Sequence, residues 1–136
     1  MDKGSLVIDC SLIVKWFCIE DHSDFALSFL KEAEGGTIKL FAPSIILIEF
    51  ANVLRKQGRL KSITNEKCIN FLIKFIEICK AKIIHLINQE EFILEIFDLA
   101  SQNNLSYYDG EYLYLAKMLK VDLITFDKNL KKAFNK

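Results

Sequence analysis

The sequence predicts an α/β domain in which a parallel sheet lies between layers of helices. Short apolar runs alternate with segments that have apolar residues at helical spacing, and no repeat, linker or low-complexity stretch interrupts them. Such alternation is typical of strands joined by helical crossovers. With 136 residues, 51% of them hydrophobic, the chain is expected to form one domain over residues 1–136.

Four short apolar runs predict the strands. The runs cover residues 6–9, 38–41, 83–87 and 123–125. The first is apolar up to its final acid, as in a central strand that is buried on both faces. Asp9 ends the first run and Asp127 follows the last, so two acids lie at or just past carboxyl ends of strands, where such sheets bind ligands.

The segments between these runs predict helices, because their apolar residues recur at helical spacing between capping and stop residues. The helices are expected over residues 11–17, from Asp21 or Ser23 as the cap to Gly35, over residues 44–57 and 65–79, from Asn88 to Asn103, from Asp109 to Leu119, and from the cap Asp127 through Phe134.

The helix over residues 44–57 carries one acid, Glu49, among apolar residues. Pro43 and Ser44 indicate its start and Gly58 its end. Apolar residues cover every side of the first three turns, which predicts a helix buried all round. Glu49 is therefore expected inside the domain.

A buried carboxylate costs several kcal/mol unless it is compensated. Glu49 is then protonated, paired with a cation such as Arg55 or Lys56, bound to a metal ion, or in a rotamer that reaches water. Three further acids, each at a strand end or a helix start, favour the metal ion: Asp9, Asp109 and Asp127.

Each aspartate alone could be a helix cap, worth about 1 kcal/mol. Together at one edge of a sheet, the four acids would repel one another unless a cation lay between them. Oxygen ligands select Mg²⁺ or Mn²⁺. Such an ion activates water and stabilises a phosphoryl oxygen, which points to phosphodiester hydrolysis.

Composition excludes several other classes. The four cysteines and two histidines form no zinc pattern, and Cys10 is expected to point away from Asp9 across the strand. Acidic and basic residues cancel at 18 each, so any nucleic-acid contact must be local. No apolar run reaches the roughly 18 residues of a membrane span, and the segment 1–4 lacks the order of a signal peptide, so a cytoplasmic protein is expected.

Four ordered motifs make the sequence similar to the PIN domain, and more narrowly to the small single-domain toxins of VapBC-type toxin–antitoxin modules. The motifs comprise Val7, Ile8, Asp9, Cys10 and Ser11 with Lys15, Trp16 and Phe17; Pro43 and Ser44 with Glu49; Tyr108, Asp109, Tyr112, Leu113, Leu115 and Ala116; and Thr125, Phe126, Asp127 and Leu130.

The resemblance implies a three-layer α/β/α domain, Mg²⁺- or Mn²⁺-dependent endoribonuclease activity on RNA, a small antitoxin partner and a homodimer. Eleven phenylalanines in so small a domain also favour an apolar interface. Family members commonly add an edge strand after the last helix. This chain stops at Lys136, so four strands are expected, with five as the alternative.

The resemblance also assigns residues. Asp9, Glu49, Asp109 and Asp127 match the family's acidic quartet, which holds the metal directly or through water. Ser11 and Thr125 match supporting hydroxyls, with helix cap and strand-end hydroxyl as their alternative roles.

One departure from the family pattern is the pair Gly110 and Glu111 after the third acid. Glycine in a helix costs about 1 kcal/mol relative to alanine. Glu111 lies about 200° around the helix from Asp109, and we expect it to face away from the metal.

Two other functions compete with the nuclease. One is a catalytically silent PIN-like module that binds a protein or RNA partner. Retention of all four acids favours the enzyme, because clustered charge is costly to the fold. The other is a phosphatase or receiver-type domain with Asp9 as nucleophile or phosphoacceptor, and the absence of paired acids at Asp9, Cys10 and Ser11 disfavours it.

Overall fold

A computed structural model describes residues 4–18, 21–60 and 62–136. Within these residues the strands are β1 (Ser5–Ile8), β2 (Lys39–Pro43), β3 (Ile84–Ile87) and β4 (Asp122–Ile124). The helices are α1 (Cys10–Phe17), α2 (Ser23–Glu34), α3 (Ile46–Arg59), α4 (Asn65–Lys80), α5 (Ile93–Gln102), α6 (Tyr107–Leu119) and α7 (Lys128–Phe134), with a short 3-10 turn, Glu90–Phe92, before α5. The predicted α/β/α fold with four parallel strands is confirmed. Residues 1–3, used above to predict the lack of a signal peptide, lie outside the described residues.

The sheet has the strand order β3-β2-β1-β4, and all neighbouring pairs are parallel. The chain therefore moves outward from β1 through β2 to β3 and then crosses back to place β4 on the other side of β1. Val7 lies between Phe41 of β2 and Leu123 of β4. Strand order reverses between β1 and β4, which is where an open parallel sheet forms a ligand crevice.

The centre of the sheet is buried on both faces. Val7 and Ile8, whose side chains point to opposite faces of β1, are both completely inaccessible to solvent, as their continuous apolar run predicted. Phe50 of α3 contacts Phe17 and Phe75, with ring centroids 5.4 and 5.0 Å apart. Full burial of such a ring stabilises the fold by about 2–3 kcal/mol and fixes the helix that carries Glu49.

The prediction that α3 is buried all round is wrong. Phe50 is buried, but Ile48 is 72% exposed, so the helix is amphipathic. Its predicted bounds also shift by two residues, because the Ser44 amide donates to the Ile87 carbonyl at 2.9 Å and continues the sheet contact instead of opening the helix. Gly58 lies inside α3, and the helix ends at Arg59.

The predicted caps of two helices also change. α2 is preceded by His22, in the left-handed conformation with φ of 68°, and neither Asp21 nor Ser23 is its cap. α6 begins at Tyr107, and the Ser106 hydroxyl accepts a hydrogen bond from the Asp109 amide at 3.1 Å. Asp109 is thus the third residue of α6 and not its cap.

Gly110 is buried where α6 packs against α5. A Cβ atom at this position would lie 2.7 Å from Ala100 Cβ and 3.3 Å from the Ile96 carbonyl oxygen. The close approach of the two helices therefore requires glycine, and this accounts for Gly110 in the pair that departs from the family pattern. Among the described residues, no helix is both long and apolar enough to cross a membrane.

Candidate active site

Asp9 lies at the carboxyl end of β1 and is only 5% exposed. Its Oδ1 accepts hydrogen bonds from Ser11 Oγ at 2.6 Å and from the Leu12 amide at 3.4 Å. Its Oδ2 accepts a hydrogen bond from Thr125 Oγ1 at 2.5 Å. The carboxylate does cap α1, but its shorter contacts are with the two hydroxyls.

The same two hydroxyls join the end of β1 to the segment that follows β4. Ser11 Oγ accepts a hydrogen bond from the Phe126 amide at 2.9 Å, and Thr125 Oγ1 accepts one from the Asp127 amide at 2.9 Å. Each hydroxyl thus donates to Asp9 and accepts from the backbone, which fixes its orientation. This network links the backbone of Asp127 to the Asp9 carboxylate through Thr125.

Glu49 is half-buried on α3, and its Oε1 accepts a hydrogen bond from Tyr112 Oη at 2.5 Å. The hydrogen bond comes from a phenol, whereas Arg55 and Lys56 are exposed. Tyr112, 1% exposed, was not predicted as a site residue. The signal was its position three residues after Asp109, since residues three apart share a face of a helix.

Asp109 and Asp127 differ in their surroundings. Asp109 is half-buried in the first turn of α6, where Ser106 already provides the cap. Asp127 is exposed, and its Oδ1 accepts a hydrogen bond from the Leu130 amide at 2.9 Å, so it caps α7 as predicted. A capping role therefore accounts for Asp127 and leaves the Asp109 carboxylate unexplained.

The acids are electrostatically coupled. Burial raises the pKa of Asp9 from 3.8 to about 6, against the lowering effect of hydrogen bonds from Ser11 and Thr125. Burial also raises the pKa of Glu49 and of Asp109. The charge of Asp109 raises the pKa of Asp9 and Glu49 further, and the charge of Asp127 raises that of Asp109. Charge effects therefore link Asp9, Glu49 and Asp109, and they link Asp127 to Asp109.

The causes of these three pKa shifts are burial, hydrogen bonds and other carboxylates, with no cationic side chain among them. Within residues 4–18, 21–60 and 62–136, no three His, Cys, Asp or Glu side chains lie close enough to form a ready-made metal ligand group. The acids thus do not form a preformed ligand group. Carboxylate oxygens suit Mg²⁺ or Mn²⁺, which keep water ligands, better than Zn²⁺.

Cys10 is the first residue of α1, so the strand alternation invoked to point it away from Asp9 does not apply. Burial and the charges of Glu49 and Asp9 raise the pKa of its thiol well above the usual range. The thiol therefore stays protonated and is a poor metal ligand.

A second buried polar pair braces α6. Gln89 Nε2 donates hydrogen bonds to the Glu111 carbonyl at 3.0 Å and to Glu111 Oε1 at 3.1 Å, and both side chains are at least 94% buried. Gln89 Oε1 has no hydrogen-bond partner among the described residues. The charge of Glu111 makes a small contribution to the raised pKa of Glu49. Nothing in the sequence pattern singles out Gln89.

Comparisons with known proteins agree with this architecture. The family model for the PIN domain matches residues 6–135. The chain is similar to "Ribonuclease VapC3" of Pyrobaculum aerophilum, with 28% identity over 129 residues that cover 95% of this chain and 94% of that protein. It is also similar in fold to the crystal structure of PAE2754 from Pyrobaculum aerophilum, with a TM-score of 0.71 and 19% identity over 96% of this chain and 84% of that one.

Proposed function

The chain belongs to the PIN domain family, and on that premise we propose that it is a Mg²⁺- or Mn²⁺-dependent endoribonuclease. It hydrolyses RNA phosphodiester bonds and acts as the toxin of a toxin–antitoxin pair. The observation that carries this proposal is the coupling of the acids: burial raises the pKa of Asp9, Glu49 and Asp109, and the charge of at least one other of the four acids raises each of these pKa values further. A bound cation would offset the free-energy cost of keeping these buried carboxylates ionised close to one another.

Asp9, Glu49, Asp109 and Asp127 are the residues that would hold the ion, directly or through water. When bound, a divalent ion supplies a water of lowered pKa and stabilises charge on a phosphoryl oxygen. Because the acids do not form a compact ligand group, several of these contacts are expected to run through water, as Mg²⁺ prefers.

The remaining residues orient and tune the carboxylates. Ser11 and Thr125 fix both oxygens of Asp9, and Tyr112 fixes one oxygen of Glu49. These hydrogen bonds lower the pKa of each carboxyl against the opposing effect of burial. They therefore keep the charged, metal-binding form populated near neutral pH.

The proposed partners are the RNA substrate, a small antitoxin protein and a second copy of the chain, all in the cytoplasm. The homodimer is supported by apolar side chains on the outer face of α5, where Leu94 is 80% and Phe97 is 63% exposed. Apolar groups exposed together on one helix are typical of an interface.

The test is cleavage of single-stranded RNA in Mg²⁺ or Mn²⁺ by matched Asp→Asn variants. Asp109→Asn removes a proposed ligand charge with little change of shape, and cleavage should fall to background while the melting curve stays cooperative. Asp122→Asn is the control, because Asp122 is exposed at the amino end of β4, whereas Asp127 follows the carboxyl end of that strand. It should cleave at the wild-type rate.

Two results contradict the proposal in different ways. A folded Asp109→Asn variant that cleaves at the wild-type rate removes Asp109 from the site. A wild-type protein that binds RNA and cleaves none in either ion is a silent RNA-binding module.

A further inference from the structure

Beside the acids lies a group of aromatic and basic side chains, here called the rim cluster: Lys15, His22, Phe25 and Phe126. The Lys15 Nζ atom lies 4.7 Å from the centroid of the Phe126 ring. The His22 ring is stacked on Phe126 with centroids 5.8 Å apart and 21° between planes, and Phe25 meets Phe126 edge-on at 6.2 Å. The cluster thus brings one cation and three rings together.

The backbone ties the rim cluster to the site. Phe126 lies between Thr125 and Asp127, and its amide donates to Ser11 Oγ, which in turn donates to Asp9. Lys15 Nζ also donates to the Asp21 carbonyl at 2.8 Å, which links Asp21 to α1. Hydrogen bonds through Phe126 therefore connect the rim cluster to Asp9.

His22 does not act as a side-chain cap of α2. It precedes the helix in the left-handed conformation, with φ of 68°, which histidine adopts more often than most other residues, and its side chain makes no capping hydrogen bond. Its ring is instead exposed and stacked on Phe126.

We propose that the rim cluster is a substrate subsite, in which His22 stacks on one base of single-stranded RNA and Lys15 attracts the adjoining phosphates. This inference rests on the proposed function, since it places the RNA strand next to the acids. Single-strand binders combine ring faces, on which any base can stack, with positive charge along the backbone. A chain whose 18 acidic and 18 basic residues cancel needs such local contacts to hold RNA.

The alternative is a purely structural stack, in which His22 only holds the segment before α2 against Phe126. The two roles differ in what they predict for the bases of the RNA. A stacking platform distinguishes RNA with bases from the same backbone without them, whereas a structural stack affects stability and leaves RNA affinity unchanged.

The experiment measures RNA binding by fluorescence anisotropy in Mg²⁺, with Asp109→Asn as the non-cleaving background. The probes are labelled oligo(A) and an abasic ribose-phosphate oligomer of the same length. His22→Ala should weaken oligo(A) binding by roughly 5- to 150-fold, the range found for loss of one base stack. It should leave binding of the abasic oligomer unchanged, and His22→Phe, which keeps a ring, should restore the affinity for oligo(A).

Lys15→Gln should weaken binding of both probes, because it removes charge and not a stacking face. Lys117→Gln, which removes an exposed lysine from the last turn of α6, is the matched control and should change neither. Melting curves of all variants report on the fold separately.

The subsite is overturned if His22→Ala binds oligo(A) as tightly as its parent, if it loses affinity equally for both probes, or if the parent binds neither probe. RNA cleavage is measured in a separate assay, with proteins that retain Asp109. RNA cleavage without any effect of His22 contradicts the subsite alone, and His22-dependent binding without cleavage contradicts the proposed function alone.

Discussion

Replacing Asp9 with asparagine should stabilise the metal-free protein at neutral pH. Asp9 is 5% exposed, and burial raises its pKa from 3.8 to about 6. A folded-state pKa above the unfolded value means that the folded protein binds more protons between these values. Stability from this group is therefore fully present in acid and is lost as the pH rises through about 6.

The magnitude follows from the shift. About two pKa units at about 1.4 kcal/mol each give a cost of about 3 kcal/mol for ionised Asp9 at pH 7. Asparagine removes this charge, but its amide cannot accept the hydrogen bond from one of the hydroxyls of Ser11 and Thr125, a loss of about 1 kcal/mol. The net gain of about 2 kcal/mol corresponds to a rise in Tm of about 6 °C for a domain of this size.

The assay is thermal unfolding of wild type, Asp9→Asn and the exposed control Asp122→Asn, in EDTA and in Mn²⁺, at pH 5 and pH 7. In EDTA, the advantage of Asp9→Asn over wild type should be largest at pH 7 and fall by about two thirds at pH 5. Mn²⁺ at a hundred times its dissociation constant should stabilise wild type by about 2.7 kcal/mol, and Asp9→Asn by less.

A purely capping role for Asp9 predicts a different result. Because asparagine caps a helix about as well as aspartate, Asp9→Asn should then melt at the wild-type temperature or slightly below it in EDTA, at both pH values. The melting temperature of the wild type should then be the same with and without Mn²⁺. Asp122→Asn should match wild type in every condition under either account.

Two further predictions concern packing and assembly. Gly110→Ala should destabilise the protein by about 1–3 kcal/mol in urea melts, because its Cβ would lie 2.7 Å from Ala100 Cβ. Gly58 lies inside α3, and a Cβ atom there would come no closer than 3.8 Å to Cys68 Sγ, so Gly58→Ala should stabilise the protein by about 1 kcal/mol. If the two substitutions change stability in the same direction, the proposed difference in packing is contradicted. Light scattering at high micromolar concentration, with no antitoxin bound, should give the mass of a homodimer, and a monomer would contradict the interface on α5.

Much of the fold could be predicted because the burial of the central strand is evident from its apolar residues. Val7 and Ile8 are buried on both faces, and this requires a continuous apolar run. The place of β4 beside β1 could not be predicted from the pattern of residues, because strand order depends on how the crossovers pack. The resemblance to the PIN domain, inferred from four motifs, is confirmed by the family match over residues 6–135.

The errors arose where local sequence was ambiguous. Ile48 is apolar yet 72% exposed, so counting apolar residues overstated the burial of α3. Ser106 and Asp109 are both good capping residues three positions apart, and only the hydrogen bond from the Asp109 amide to Ser106 Oγ distinguishes them. A cap prediction identifies a helix start to within about a turn and not the residue that provides it.

The acids of the site could be proposed from sequence because carboxylates at strand ends are conspicuous. Their supporting contacts could not, because they join residues far apart in the chain. Tyr112 donates to Glu49 across 63 positions, and Thr125 donates to Asp9 across 116. Such pairs depend on the strand order and helix packing that single-sequence periodicity does not contain.

The most direct test of the central claim is the return of RNA cleavage as Mn²⁺ is added to metal-stripped wild-type protein. We predict no cleavage after exhaustive treatment with EDTA, and activity that rises with Mn²⁺ and then saturates, because the coupled carboxylates need the ion to act together. Cleavage that continues undiminished in the stripped protein would contradict the account.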